Sequence, residues 1–268
     1  MNGDMSVEVK KKVFPTIGNT WVILFILLVA SAIIAAVLRL FVTDISSVYV
    51  FLSYTIPFGI IAFVLVLFQK HELGVSFKSL FKRFDLQIVP YIALFVVGFG
   101  YFSDFITGLI PMPQAIRALF ENLLQVSWLS FFTVCIIAPF LEELIFRGVL
   151  LRAYSINYSA RKALFWSAFF FALVHFNPWQ SLPAFGIGYF MGWLFLKTQS
   201  LVPAIVTHAI NNGIAFLAMA ISGEKAKGIS EQFNWQLNIV ISVVGLLLAA
   251  YSLYRIQQLV MSKKSEIK

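Results

Sequence analysis

Eight long apolar segments are the feature that most limits how this chain of 268 residues can fold. They cover approximately residues 19–42, 49–68, 87–111, 124–150, 162–178, 180–196, 199–221 and 236–259. About 20 apolar residues in a helix cross the roughly 30 Å hydrocarbon core of a bilayer. Backbone polar groups in that core need internal partners, so the segments are expected to be helices. The sequence therefore predicts an all-α polytopic membrane protein, a bundle of about eight transmembrane helices with an intramembrane cavity.

The spacing of these segments predicts a single integral membrane domain over residues 1–268. The chain has no internal repeat, and its longest polar gap, 69–86, is too short for a soluble domain. The fifth and sixth segments are short and are separated only by residues 177–179, which predicts a tight helical hairpin. The first segment is too long for the core of a signal peptide and is predicted to be a retained span.

Basic residues predict the orientation of the bundle. With the N-terminus inside, 15 of the 20 Lys and Arg residues fall on the cytoplasmic side. The outer loops hold only Arg117, Lys225 and Lys227. This positive-inside bias predicts a plasma-membrane protein with both termini in the cytoplasm. The net charge of +8 then faces the anionic lipid of the inner leaflet, so we predict membrane lipid and no nucleic acid as a partner.

The single cysteine, Cys135, excludes an internal disulfide and a cysteine-based zinc site. It lies in an apolar stretch, where a buried thiol is inert. A small core residue is therefore favoured over a Cys/His protease nucleophile.

Three ionisable residues within six positions of the fourth segment are the strongest functional signal. Burying one charge at the centre of a membrane helix costs roughly 2.5–3.5 kcal/mol on insertion scales. Glu143 and Arg147 are spaced i, i+4 and can pair. Glu142 is rotated from Glu143 by about 100° and is predicted to face the cavity, where a carboxylate can act as a general base for water. The alternative is an ion-pair network that only joins helices.

Two of the three histidines also lie within apolar segments. His208 and Asn212 are spaced i, i+4, so two hydrogen-bond donors leave one helix face, as an oxyanion site requires. Counting residues from the basic boundaries places Glu142 about 15 Å, His208 about 13 Å and His175 about 21 Å below the cytoplasmic surface. The three groups are thus predicted to meet inside the bilayer. A lone membrane histidine is otherwise commonly an interhelical hydrogen-bond donor.

Two backbone features accompany these residues. Gly188 and Gly192 form a small-xxx-small pattern on the sixth segment, which predicts close helix packing. Pro139, three residues before Glu142, is predicted to remove a helical hydrogen bond and to open space for a water molecule.

Three motifs in this order carry a resemblance to a known family. They are Glu142-Glu143-x-x-x-Arg147, Phe171-x-x-x-His175 and His208-x-x-x-Asn212. On separate spans of an eight-span chain, they resemble the CAAX prenyl protease and bacteriocin-processing (Abi) family of intramembrane glutamic endopeptidases. The resemblance covers a core of about 124–220. Asn211 stands beside Asn212, and the spacing favours Asn212.

The resemblance implies a hydrolase that cleaves a peptide bond without a cofactor. Glu142 would activate a water molecule with help from His175, and His208 and Asn212 would stabilise the oxyanion. The catalytic residues implied are Glu142, His175, His208 and Asn212, with Glu143 and Arg147 in support. The implied substrate is a peptide or a lipid-associated protein, cleaved in peptide maturation, in bacteriocin self-immunity or in CAAX-type C-terminal trimming.

Two other functions fit the same residues. The first is a zinc peptidase. The sequence contains no His-Glu-x-x-His motif, which counts against it, yet two histidines and a glutamate are a competent zinc ligand set. A non-enzymatic transporter, proton relay or immunity scaffold could also bury acids and histidines. The chain shows no inverted repeat or paired broken helices, which counts against a transporter.

Overall fold

The structure, a computed structural model, describes residues 12–42, 46–114, 116, 126–222, 230 and 233–266. This part of the chain contains eight long helices and no strand. The helices are α1 (Ile17–Arg39), α2 (Ser47–Leu73), α3 (Val89–Gly108), α4 (Trp128–Asn157), α5 (Ala160–Leu173), α6 (Pro178–Thr198), α7 (Val202–Ser222) and α8 (Trp235–Glu266). Two short 3₁₀ turns, Phe77–Leu80 and Leu86–Ile88, connect α2 to α3.

The predicted all-α polytopic membrane class is confirmed. Each predicted apolar segment corresponds to one helix, and six helices in the described residues are long and apolar enough to cross a membrane. The two outside that set are α5 and α6. With 14 residues, α5 is about 21 Å long and too short to span a bilayer. The cytoplasmic placement of both termini stays a prediction, because Lys10, Lys268 and the outer-loop Arg117, Lys225 and Lys227 lie outside the described residues.

The fifth predicted segment, 162–178, ends earlier than the sequence indicated. Helix α5 stops at Leu173, and residues 174–177 form the turn into α6. Phe176 adopts the left-handed conformation with φ 53°, which a helix cannot continue through. Asn177 then caps α6 by accepting a hydrogen bond from the Gln180 backbone N–H. The predicted helical hairpin is present, but His175 lies in its turn and not within a span.

Helix α4 is the centre of the bundle. Every residue from 142 to 151 is buried, whereas α1 buries only three of its 23 residues. Two stretches of α4, Thr133–Ile137 and Leu144–Leu151, have the wide π-helical geometry. Side chains of neighbouring helices hydrogen-bond to carbonyls in the second stretch, with Ser167 Oγ 3.0 Å from Phe146 O and Gln69 Nε2 2.8 Å from Val149 O. Such partners are what irregular backbone needs at membrane depth.

Helices α3 and α8 approach so closely that their backbones touch. The contact is between Gly98 and Gly245, and a Cβ atom built on either glycine would collide with the backbone carbonyl of the other. By contrast, a Cβ atom on Gly100, two residues further along α3, meets nothing within 4 Å. Glycine at position 98 is therefore required by the packing of the two helices.

We expect Gly98→Ala to destabilise the protein by about 1–3 kcal/mol, because rigid backbone must move to admit the methyl group. Thermal unfolding of the purified protein in detergent measures the change. The control is Gly100→Ala, which gains helix propensity of about 1 kcal/mol without a collision. Equal unfolding temperatures for the two variants would contradict the proposed close contact.

Candidate functional site

The site is built on the predicted ion pair of α4. Arg147 Nη1 lies 2.8 Å from Glu143 Oε1, and both side chains are fully buried. One helical turn separates the two residues, so the i, i+4 spacing alone brings their side chains together. The prediction that Arg147 compensates Glu143 and leaves Glu142 turned elsewhere is confirmed.

Arg147 also contacts the two helices that form the hairpin. Its Nη2 donates a hydrogen bond of 2.8 Å to Gly188 O on α6, and its guanidinium lies 4.4 Å from the ring centre of Phe171 on α5. A Cβ atom at Gly188 would lie 2.9 Å from Phe171 and 3.1 Å from Arg147. At Gly192 it would press on leucines of α4 and α5. The close packing predicted for the small-xxx-small pattern is confirmed, and its purpose at Gly188 is to admit the guanidinium.

His208 joins the ion pair from α7. Its Nδ1 lies 2.9 Å from Glu143 Oε1, the same oxygen that accepts from Arg147. A carboxylate only accepts hydrogen bonds, so Nδ1 carries the proton and Nε2 is left to face the other glutamate. The Nε2 atom lies 4.0 Å from Glu142 Oε2. The matching depths counted from the sequence therefore do bring Glu142 and His208 together.

Glu142 has one occupied and one open carboxylate oxygen. Tyr54 of α2 donates a hydrogen bond of 2.5 Å to Oε1, while the buried Oε2 has no hydrogen-bond partner in the structure. The residue is buried, with 9% of its surface exposed. Oε2 thus faces His208, and the cavity that the sequence predicts in front of it stays a prediction.

Asn212 points its amide at the first π stretch of α4. Its Nδ2 donates a hydrogen bond of 2.9 Å to Val134 O. That carbonyl lacks a helical donor for a clear reason: the Ala138 N–H bonds to Thr133 O instead, and the next residue, Pro139, has no N–H. The predicted loss of a helical hydrogen bond at Pro139 is thus confirmed, and the predicted space for a water molecule stays a prediction. Since an amide carries two N–H bonds, one remains for another acceptor.

His175 is attached to the rest of the site through an aromatic ring. Its Nδ1 lies 2.9 Å from Phe171 O, and its ring packs edge-on against Phe171 at 5.3 Å. The ring of His208 packs against the same phenyl ring at 5.4 Å. Within the described residues, no hydrogen bond or ion pair joins His175 to Glu142 directly. The Phe of the Phe-x-x-x-His motif therefore lies between the two histidines and beneath Arg147.

The sequence analysis missed Tyr54. A tyrosine in an apolar span needs a partner for its hydroxyl, and this was the available signal. A second sign was Pro57, three residues after Tyr54, which mirrors Pro139 three residues before Glu142. Neither sign identifies Glu142 as the partner, because the two residues lie 88 positions apart.

The acidic and histidine side chains do not form a ready metal site. In the described ranges, no group of three or more His, Cys, Asp or Glu side chains is placed to hold a metal ion. Glu143 Oε1 is engaged by both Arg147 and His208, and the guanidinium would repel a dication beside it. Cys135 is buried and free. The zinc peptidase stays an alternative prediction, which metal analysis of the purified protein tests.

Comparison with known proteins identifies the motif-bearing segment. Residues 124–214 match the model of a family described as type II CAAX prenyl endopeptidase Rce1-like. The UPF0177 protein YaiF of Lactococcus lactis is 26% identical over 154 residues, which cover 56% of this chain and 68% of the relative. The membrane-embedded CAAX protease MroQ of Staphylococcus aureus is 29% identical over 117 residues, 41% of this chain and 47% of the relative. No solved structure matches the chain.

The matched segment contains all three motifs, from Glu142 in α4 to Asn212 in α7, and excludes Tyr54. The matched family is described as one of prenyl endopeptidases, and in this chain the matched segment contains a buried carboxylate beside a histidine. Residues 124–214 of this polytopic membrane protein are therefore similar to the Rce1-like type II CAAX prenyl endopeptidase family.

Proposed function

We propose that this protein is an intramembrane glutamate-type endopeptidase that hydrolyses a peptide bond with water activated by Glu142. One observation carries the proposal: Tyr54 occupies Oε1, and the open Oε2 faces His208 Nε2 at 4.0 Å. This separation is too long for a hydrogen bond, and we propose that one water molecule bridges the two atoms with hydrogen bonds of about 2.8 Å. A nucleophile held there has its base beside it.

In the proposed reaction, Glu142 Oε2 takes a proton from the water molecule while the water oxygen bonds to the scissile carbonyl carbon. The carbonyl oxygen becomes an oxyanion. The proton then passes to the amide nitrogen as the C–N bond breaks, leaving a carboxylic acid and an amine. We assign His175 the role of assisting this proton transfer. Its Nδ1–H donates to Phe171 O, since a carbonyl only accepts, so Nε2 of the neutral ring is free to accept a proton.

We assign the oxyanion to His208 and Asn212. The second N–H of the Asn212 amide is available, because the first is held by Val134 O and fixes the plane of the amide. The contact of His208 Nδ1 with Glu143 Oε1 at 2.9 Å fixes the ring so that its Nε2 edge faces the reacting atoms. Glu143 and Arg147 thus support the site without touching the substrate.

The substrate class follows from the surroundings of the site. The reacting groups lie in a bundle of membrane-spanning helices, so the scissile bond must reach them from a membrane-bound chain. The matched family and the Staphylococcus aureus relative are named as CAAX endopeptidases or proteases, which supports a peptide or lipid-associated protein as substrate. Peptide maturation, bacteriocin self-immunity and CAAX-type trimming all remain within this class.

We expect Glu142→Gln to lower turnover by at least about 10²–10⁴-fold, because glutamine can accept from Tyr54 but has no basic oxygen. Purified protein in lipid nanodiscs would be incubated with prenylated and unmodified hydrophobic peptides in heavy-oxygen water. Mass spectrometry then detects fragments and label in the new carboxyl group. The fold is checked by thermal unfolding.

Full cleavage by folded Glu142→Gln would end the proposal that this carboxylate is the base. If the wild type cleaves none of the peptides and Glu142→Gln keeps the effect that the wild type has in cells, a non-enzymatic scaffold is favoured.

We expect Asn212→Ala to reduce kcat by about 10²–10³-fold, through loss of an oxyanion donor. It also leaves Val134 O without a partner, which costs about 1–3 kcal/mol of stability. The matched control is Asn211→Ala, whose side chain donates only to Asn212 Oδ1 at 3.2 Å. Its kcat should stay close to that of the wild type. A larger loss for Asn211→Ala would move the oxyanion role to the neighbouring residue.

We expect chelators to leave turnover unchanged, because Arg147 and His208 already engage Glu143 and the guanidinium opposes a dication. The test is turnover before and after treatment with a strong zinc chelator, with metal analysis of the same preparation. Zinc bound at one atom per chain, with activity lost on chelation and restored by zinc, would establish the metallopeptidase instead.

A further inference from the structure

Tyr54 is the only described side chain outside residues 124–214 that hydrogen-bonds to the charged groups of the site. Its hydroxyl donates to Glu142 Oε1 at 2.5 Å, a distance typical of a strong O–H···O⁻ bond. The carboxylate cannot turn Oε1 toward the substrate without breaking this bond. The two oxygens of Glu142 are therefore not equivalent, and the contact with Tyr54 determines which one is open.

The ring of Tyr54 is held in place by its own helix. It stacks on Phe58, one turn further along α2, with ring centres 4.4 Å apart and planes within 18°. Pro57 lies between them and is buried inside α2. Because proline lacks an N–H, α2 has no hydrogen bond to Ser53 O at this level, and the stacked pair stabilises the turn in its place.

Helix α2 is itself fixed along α4 on both sides of Tyr54. Near its start, Ser47 Oγ lies 2.8 Å from Ser127 Oγ and accepts from Ser130 Oγ at 3.2 Å. Towards its end, the buried Gln69 donates to Val149 O at 2.8 Å. These attachments are about 33 Å apart along α2. Tyr54 is thus presented to Glu142 from a helix that cannot shift along its partner without losing hydrogen bonds at both ends.

We propose that Tyr54 is a positioning residue that orients Glu142 for catalysis by binding Oε1 and leaving Oε2 to activate the water molecule. This role rests on the proposed peptidase function. It extends the working site beyond the family-matched segment to α2. Since Tyr54 touches the carboxylate and not the peptide, its loss should impair the chemical step and leave substrate binding unchanged.

The test compares side chains at position 54 in the full-length protein in nanodiscs. Tyr54→Phe removes only the hydroxyl, and we expect kcat to fall by about 10- to 100-fold, the factor that a hydrogen bond to a charged group is worth. KM should stay within about threefold of the wild type, because the lost interaction matters in the transition state. Replacing Tyr54 with 4-aminophenylalanine restores a donor at the same place and should recover most of kcat.

The control is Tyr49→Phe, on the same helix, where the hydroxyl donates to Ala35 O at 3.3 Å, away from the site. It should keep wild-type kcat. A second readout does not depend on turnover: the infrared carboxylate band of Glu142, identified by its loss in Glu142→Gln, should shift in Tyr54→Phe and return with 4-aminophenylalanine.

The outcomes separate the two proposals. Cleavage that needs Glu142 but is unchanged in Tyr54→Phe overturns the positioning role and leaves the peptidase standing. A raised KM with unchanged kcat, or no rescue by 4-aminophenylalanine, also overturns it. Cleavage that is independent of Glu142, or absent from the wild type, overturns the peptidase and the positioning role that depends on it, even where the infrared band shifts.

Discussion

The rest of the structure depends on the interactions that the carboxylate of Glu143 makes with Arg147 and His208. Glu143 Oε1 accepts from Arg147 at 2.8 Å and from His208 at 2.9 Å, and Arg147 in turn holds Gly188 O and lies over Phe171. Side chains or carbonyls from α4, α5, α6 and α7 thus meet around one ion pair. Removing one partner of a buried pair commonly costs about 3–5 kcal/mol, because the other charge stays buried and uncompensated. Charge satisfaction at this point therefore dictates how four helices pack.

This arrangement explains why two adjacent glutamates can do different work. Consecutive helical residues point about 100° apart, so Glu142 reaches Tyr54 of α2 and Glu143 pairs with Arg147, although both lie beside His208. Glu143 has strong cationic and imidazole partners and is saturated on Oε1. Glu142 meets one tyrosine on one side and an imidazole edge at 4.0 Å on the other. The same carboxylate chemistry is used once to compensate charge and once, in our proposal, to accept a proton.

The parts of the site that follow from local geometry could be predicted from the sequence, and the parts set by distant packing could not. Helical spacing predicts the pair of Glu143 with Arg147, and residue counting predicts that Glu142 and His208 lie at one depth. The turn at His175 depends on the left-handed backbone of Phe176, which hydrophobic patterning does not reveal. Tyr54 reaches Glu142 across 88 positions, and no periodicity connects the two.

Irregular backbone connects these separate features. Pro139 and the π stretch before it leave Val134 O without a helical donor, and a free carbonyl is costly inside a membrane bundle. Asn212 supplies the missing donor, so the amide proposed for the oxyanion is oriented by an irregular stretch of the helix that carries Glu142. On the neighbouring helix α2, Pro57 interrupts the helical hydrogen bonds beside the tyrosine that holds Glu142. A proline thus lies within three residues of Glu142 on α4 and of Tyr54 on α2. The candidate site therefore lies where both helices give up a regular hydrogen bond: Asn212 satisfies the carbonyl left open on α4, and Tyr54 lies beside the interruption of α2 and holds Glu142.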